Sequence, residues 1–236
     1  MNKLKTLVAS AFIATLSFTT VSSIEVRGGL TGQAAVYAAT AFEKQKDDGL
    51  LRSTDGFAAF NYMSIFGEVA LEQAFGISLG VEFTPDGINL DAADRIINGS
   101  VVDGSAGGAL NVSTEGELGG DTPGGLQIID AKVKDLILYY VGVPLFDTGL
   151  TAKVGLQQAT LITQETLATG ASYSDAELEG YSLGLYYDRE ITSNLFVRLE
   201  SSYTVFDKFT LLSSTGTKVG AELGGVAGKA SIGFKF

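Results

Sequence analysis

The chain has 236 residues with 16 Lys and Arg against 27 Asp and Glu, a formal charge of −11, and a mean hydropathy of +0.24. It contains no Cys, His or Trp. That composition excludes disulfide staples and thiol chemistry, removes the commonest general base and metal ligand, and leaves too little positive charge to coat nucleic acid.

The first 23 residues read as a secretory signal peptide: Lys3 and Lys5, an apolar run from Leu7 to Phe18, and small residues up to Ser23. The run is too short to cross a bilayer, which takes ~20 residues. Removing residues 1–23 takes away two lysines and no acid, so the charge moves from −11 to −13. No later run of apolar residues is long enough for a membrane helix.

Residues 24–236 carry a period-two alternation in eight segments, which predicts strands. The segments are 30–41, 61–71, 75–83, 136–143, 149–157, 180–187, 194–206 and 226–236. In 75–83, Phe75, Ile77, Leu79, Val81 and Phe83 oppose Gly76, Ser78, Gly80 and Glu82. In 194–206, Leu195, Val197, Leu199, Tyr203 and Val205 oppose Phe196, Arg198, Glu200, Ser202 and Thr204. Gln33 points Leu30, Ala34 and Val36 outward, whereas 136–143 is apolar on both faces and its register is open.

The links between these segments alternate in length. Residues 72–74, 144–148 and 188–193 are short, whereas 42–55, 84–130, 158–179 and 207–225 are long. Short turns at one end and long loops at the other predict an all-β, up-and-down antiparallel transmembrane β-barrel. The long acidic loop 84–130 holds eight carboxylates against Arg95 and ten glycines. Within it, 96–102 and 109–115 could pair as a hairpin, so the barrel has eight strands or, if that hairpin joins the wall, ten.

Desolvation orients the strands. A Lys or Arg facing lipid at mid-membrane costs ~2–4 kcal/mol, so Glu68, Glu82, Lys153, Arg198, Glu200 and Lys229 are expected to face the lumen. Each lies opposite the apolar face of its own segment. Three are acidic and three basic, and their distances from the short turns allow one charged layer. Two readings remain open for it: a gate on a narrow water path, or a structural network that satisfies a packed polar interior. Asp135 shares parity with Ile137, Tyr139 and Val141, so it is expected near the outer interface or at a bulge.

The last residues, Lys229 to Phe236, alternate and end in an aromatic residue. Together with the preceding pattern, this resembles the outer-membrane β-barrel superfamily typified by OmpA, OmpX and the opacity proteins, in particular its small porin-like members from Gram-negative bacteria. The resemblance implies that Ala230, Ile232, Phe234 and Phe236 form the C-terminal signal read by the barrel-assembly machinery. It also implies outer-membrane lipid and lipopolysaccharide as surroundings and the cell outer membrane as location. There are departures. Without Trp, an interfacial girdle must use Tyr and Phe, such as Tyr139, Tyr181, Tyr187, Tyr203 and Phe234. OmpA carries a peptidoglycan-binding domain after its barrel, and here the sequence ends at the last strand, so that role is not expected.

Enzymatic families of such barrels rely on His beside Ser or Asp, and this sequence has no His. No catalytic residue, cofactor, metal or nucleic-acid partner is expected. The function expected is a structural or small-pore role in the outer membrane. The alternative is a surface recognition protein binding an extracellular partner through its long loops, and a less favoured one is a secreted soluble barrel.

Overall fold

The computed structural model describes residues 24–44, 51–71, 75–89, 128–166, 172–214 and 216–236. The signal-peptide segment 1–23 and the hairpin segments 96–102 and 109–115 lie outside them. The described strands are β1 (Ile24–Lys44), β2 (Leu51–Leu71), β3 (Ile77–Thr84), β4 (Ile88–Asn89), β5 (Ile128–Pro144), β6 (Leu150–Thr166), β7 (Ala176–Glu190), β8 (Leu195–Leu212) and β9 (Lys218–Lys235).

Apart from β3 and β4, each strand pairs antiparallel with its neighbours in sequence, and β1 pairs with β9. Both β3 and β4 pair with β5, so β4 continues β3 after a break at Pro85–Gly87. Nine strands thus build eight walls of a closed up-and-down barrel. Paired residues lead from Val143 through Ala152, Leu185, Ser201, Gly228 and Ala34 to Asn61. That row starts beside a short turn on β5 and ends ten residues above one on β2, which is the strand tilt a barrel requires.

The alternation sets the faces as expected. Leu30, Val36, Met63, Ile65, Val154, Leu183, Leu199, Val226 and Ile232 are exposed on the exterior, and Ser64, Ser78, Gln157, Ser182, Ser202 and Ser231 are buried inside. On β5 the inward residues are Leu136, Leu138 and Tyr140. Asp135 sits at a β-bulge, with φ +52° and a register shift between Lys134 and Ile137. The extra residue reverses parity there, so Asp135 stays exposed while Leu136 turns inward.

Several boundaries differ from expectation. Phe75 belongs to a turn, with φ +56°, and β3 starts at Ile77. The strands run well past the segments read from sequence: β6 continues to Thr166, β7 begins at Ala176 and β8 reaches Leu212. The links 158–179 and 207–225 are largely strand for the same reason.

That outer extension has its own chemistry. Inside it, Ala58, Phe60, Ile88, Leu136, Ala159, Leu161, Ala176, Leu178, Phe206 and Leu211 form a buried apolar cluster, with Tyr37, Val219 and Leu223 packed against it. All eight walls contribute. The exterior at this level carries Glu177, Lys208 and Glu222 instead. Apolar-out and polar-in near the short turns becomes polar-out and apolar-in near the long loops.

Candidate functional site

The buried charges occupy the half of the barrel nearer the short turns. Arg198 on β8 and Glu68 on β2 are each 2 % exposed. One edge of the Arg198 guanidinium donates to Glu68 at 2.7 and 2.9 Å, and the other donates to Asp188 at 2.6 and 2.7 Å. Two bidentate pairs use the fixed fork geometry that Arg, unlike Lys, provides. Its flat face lies 3.9 Å from the Tyr186 ring centroid, with the Phe66 and Phe196 rings at 5.1 and 5.6 Å. Arg27 extends the cluster, donating to Glu68 at 3.3 Å and Asp188 at 3.2 Å, and pairing with Glu25. Lys235 then links Glu25 to Glu190 at the rim.

Inward glycines make this packing possible. A Cβ on Gly233 would collide with the Phe196 ring, and one on Gly80 with the Tyr140 ring. The large ring from one wall therefore fills the space left by the missing side chain on the next. Phe196 is fully buried and meets Phe66 edge-on.

The next residues toward the loops form a ring of four alternating charges. Lys153 donates to Glu82 at 3.1 Å and to both oxygens of Glu200 at 3.0 and 2.9 Å. Lys229 donates to both Glu82 oxygens at 3.0 Å and lies 3.5 Å from Glu200. Ser64 and Gln33 also donate to Glu82, at 2.7 and 3.3 Å. Two carboxylates and two ammonium groups cancel, and the remaining oxygen lone pairs are largely satisfied. That satisfaction is what makes buried charge tolerable.

All six charges expected inside are inside, but not as one layer. Glu82, Lys153, Glu200 and Lys229 form the quartet, while Glu68 and Arg198 belong to the deeper cluster. Tyr140 joins the two: its hydroxyl donates to Glu68 at 2.9 Å, and its ring lies under Lys153 at 4.1 Å. The separation follows from tilt, because equal distances from different turns do not give adjacent positions in a staggered wall. Arg27, Asp188, Glu25 and Tyr140 were missed. Arg27 and Glu25 share the inward parity of Gln33, a usable signal once the first strand is started at Ile24. Likewise, Asp188 shares the parity of Ser182.

Above the quartet the lumen holds a void of about 10 Å³, bordered by Gln33, Tyr62, Glu82, Gln157, Thr204 and Lys229 among others. That is room for on the order of one water molecule. The apolar cluster lies beyond it. The lumen is therefore filled in three successive zones: the Arg198 cluster, the quartet and the apolar cluster.

On the exterior of β9, Ala230, Ile232 and Phe234 point outward. Phe236 follows the strand, 82 % exposed, and its N–H donates to the Val26 carbonyl at 2.9 Å.

No family model and no curated protein matches the chain. Several solved structures are similar to it. Outer membrane protease OmpT from Escherichia coli is 14 % identical, with 92 % of this chain and 98 % of that one covered and a TM-score of 0.48. Outer membrane protein OprG from Pseudomonas aeruginosa is 14 % identical over 88 % and 96 %, with a TM-score of 0.44. Ail, the attachment invasion locus protein of Yersinia pestis, is 10 % identical over 87 % and 98 %, with a TM-score of 0.32.

Proposed function

We propose that the protein is a structural barrel of the bacterial outer membrane whose lumen is closed to solutes. The observation that carries this reading is the filled interior. A solute would have to part the Arg198 cluster, then the quartet, then an apolar cluster to which all eight walls contribute. Opening only the charged part leaves the apolar part shut. The same arrangement favours the structural role of the six charges over a gate.

The membrane setting rests on the wall. Rows of exposed apolar side chains surround the half that holds the buried charges, as lipid on one side and a polar lumen on the other require. On this reading residues 1–23 direct export, Ala230, Ile232, Phe234 and Phe236 present the assembly signal, and lipid and lipopolysaccharide surround the belt. No catalytic role belongs to it. The outer half favours a second role in surface recognition, since it carries the long connections on a stiff stem clear of the apolar belt.

Conductance tests the closed lumen. The purified, refolded protein in planar bilayers is expected to give no single-channel openings, and Arg198→Ala is expected to stay silent too because the apolar cluster remains. Regular stepwise openings from the unaltered chain would make it a pore.

A further inference from the structure

We infer that Phe75 and Phe146, in two short turns, are seated in the inner lipid interface and complete the apolar belt where the wall alone is too short. The inference rests on the membrane reading above and specifies which lipid contact it includes.

The outward apolar rows are unequal around the barrel. On β5 the row falls from Val143 to the exposed Asp135, on β6 from Leu150 to Gln158, and on β7 from Tyr187 to Glu179. Each covers eight residue steps. At ~3.3 Å per residue and ~40° tilt, eight steps rise about 20 Å, whereas the apolar band of a membrane barrel is ~25 Å tall. The other side reaches further, from Leu195 to Val205 on β8 and from Leu71 to Phe57 on β2.

Phe146 lies in the turn joining β5 to β6, two of the short rows, and Phe75 in the turn that leads into β3 beside them. The two turns adjoin, since Gly76 faces the Pro144 ring. Tyr187 packs against Gly149, which closes the Phe146 turn, so wall and turn meet there. Both phenylalanines are 93 % exposed to the surroundings of the protein.

Their backbone sharpens the argument. Phe75 has φ +56° and Phe146 φ +52°, and Phe75 precedes Gly76, also at positive φ. Turns of this kind favour Gly, Asn or Asp at such positions. Phenylalanine gains nothing for the turn itself, so its ring is what the position uses. An amphipathic interface is where aromatic rings at a barrel's rim are stabilised.

The chain has no Trp, so single-tryptophan variants report position without background. Phe75→Trp, Phe146→Trp and, as a mid-belt reference, Leu183→Trp are refolded into phosphatidylcholine vesicles brominated at shallow or deep acyl positions. Folding of each variant is checked by the mobility difference between boiled and unboiled samples. The expected result is blue-shifted emission for all three, with Leu183→Trp quenched most by deep bromines and both turn variants most by shallow ones. Water-like, unquenched emission from the two turn variants beside a quenched Leu183→Trp would overturn the inference alone. If Leu183→Trp itself escapes quenching, the membrane reading fails with it.

Discussion

The two halves of this barrel use one sheet in opposite ways. Near the short turns, Leu183 and Leu199 face out while Lys153, Arg198 and Glu200 are buried; near the long loops, Leu161, Leu178 and Leu211 are buried while Glu177 and Lys208 face out. Both strands cross the boundary, β7 without a break and β8 with one β-bulge between Phe206 and Phe209. In the proposed membrane setting, what changes is the solvent each face must satisfy. An exterior in hydrocarbon needs apolar side chains and leaves the polar ones to the lumen. An exterior in water reverses that preference, and the lumen becomes an ordinary apolar core.

The two interiors differ in how they can be damaged. Removing the Arg198 guanidinium leaves Glu68 and part of Asp188 buried without their strongest partner. Breaking such a pair costs about 3–5 kcal/mol, so Arg198→Ala is expected to lose that much in equilibrium urea unfolding of the lipid-reconstituted protein. In the outer half, truncation costs transfer and cavity energy instead. Leu178, 2 % exposed inside the apolar cluster, is expected to lose about 2–5 kcal/mol on replacement by Ala. If Arg198→Ala were neutral, the buried charges would be hydrated and the lumen not closed around them.

The exteriors provide the sharper contrast. Leu183→Lys places a charge in the middle of the belt and is expected to cost about 2–4 kcal/mol, read in the same unfolding experiment. At the outer level Lys208 pairs with Glu222 at 3.3 Å, both more than half exposed. Lys208→Ala is expected to change stability by no more than ~1 kcal/mol, as exposed ion pairs do. Comparable losses at Leu183 and Lys208 would erase the distinction between the two exteriors.

The belt half was legible in the sequence because its alternation is stark. Leu195, Val197 and Leu199 against Arg198 and Glu200 fix a register without any coordinates. The outer half was less so. Glu177, Leu178 and Glu179 alternate as cleanly as any belt segment, but with the faces exchanged, and a search for outward apolar rows ends at such a place. Asp135 signalled its conflict with Ile137 and Tyr139, and the β-bulge is the physical resolution. For the charges, sequence supplied the members and the lumen face. Division into a quartet and an Arg198 cluster depends on stagger between walls, which no single strand encodes. Asp188 falls in the short link expected at 188–193, yet β7 continues to Glu190 and carries its carboxylate inward.

The exchange of faces along β7 is the centre of this account, and the absence of Cys from the chain allows it to be read directly. Single cysteines placed at Glu177, Glu179, Tyr181, Leu183 and Leu185 all lie on the outward row of one strand. In lipid nanodiscs, where both faces are open to reagent, a membrane-impermeant maleimide is expected to label positions 177 and 179 fully and 183 and 185 hardly at all, with the step falling near Tyr181. Uniform labelling along the row would contradict it.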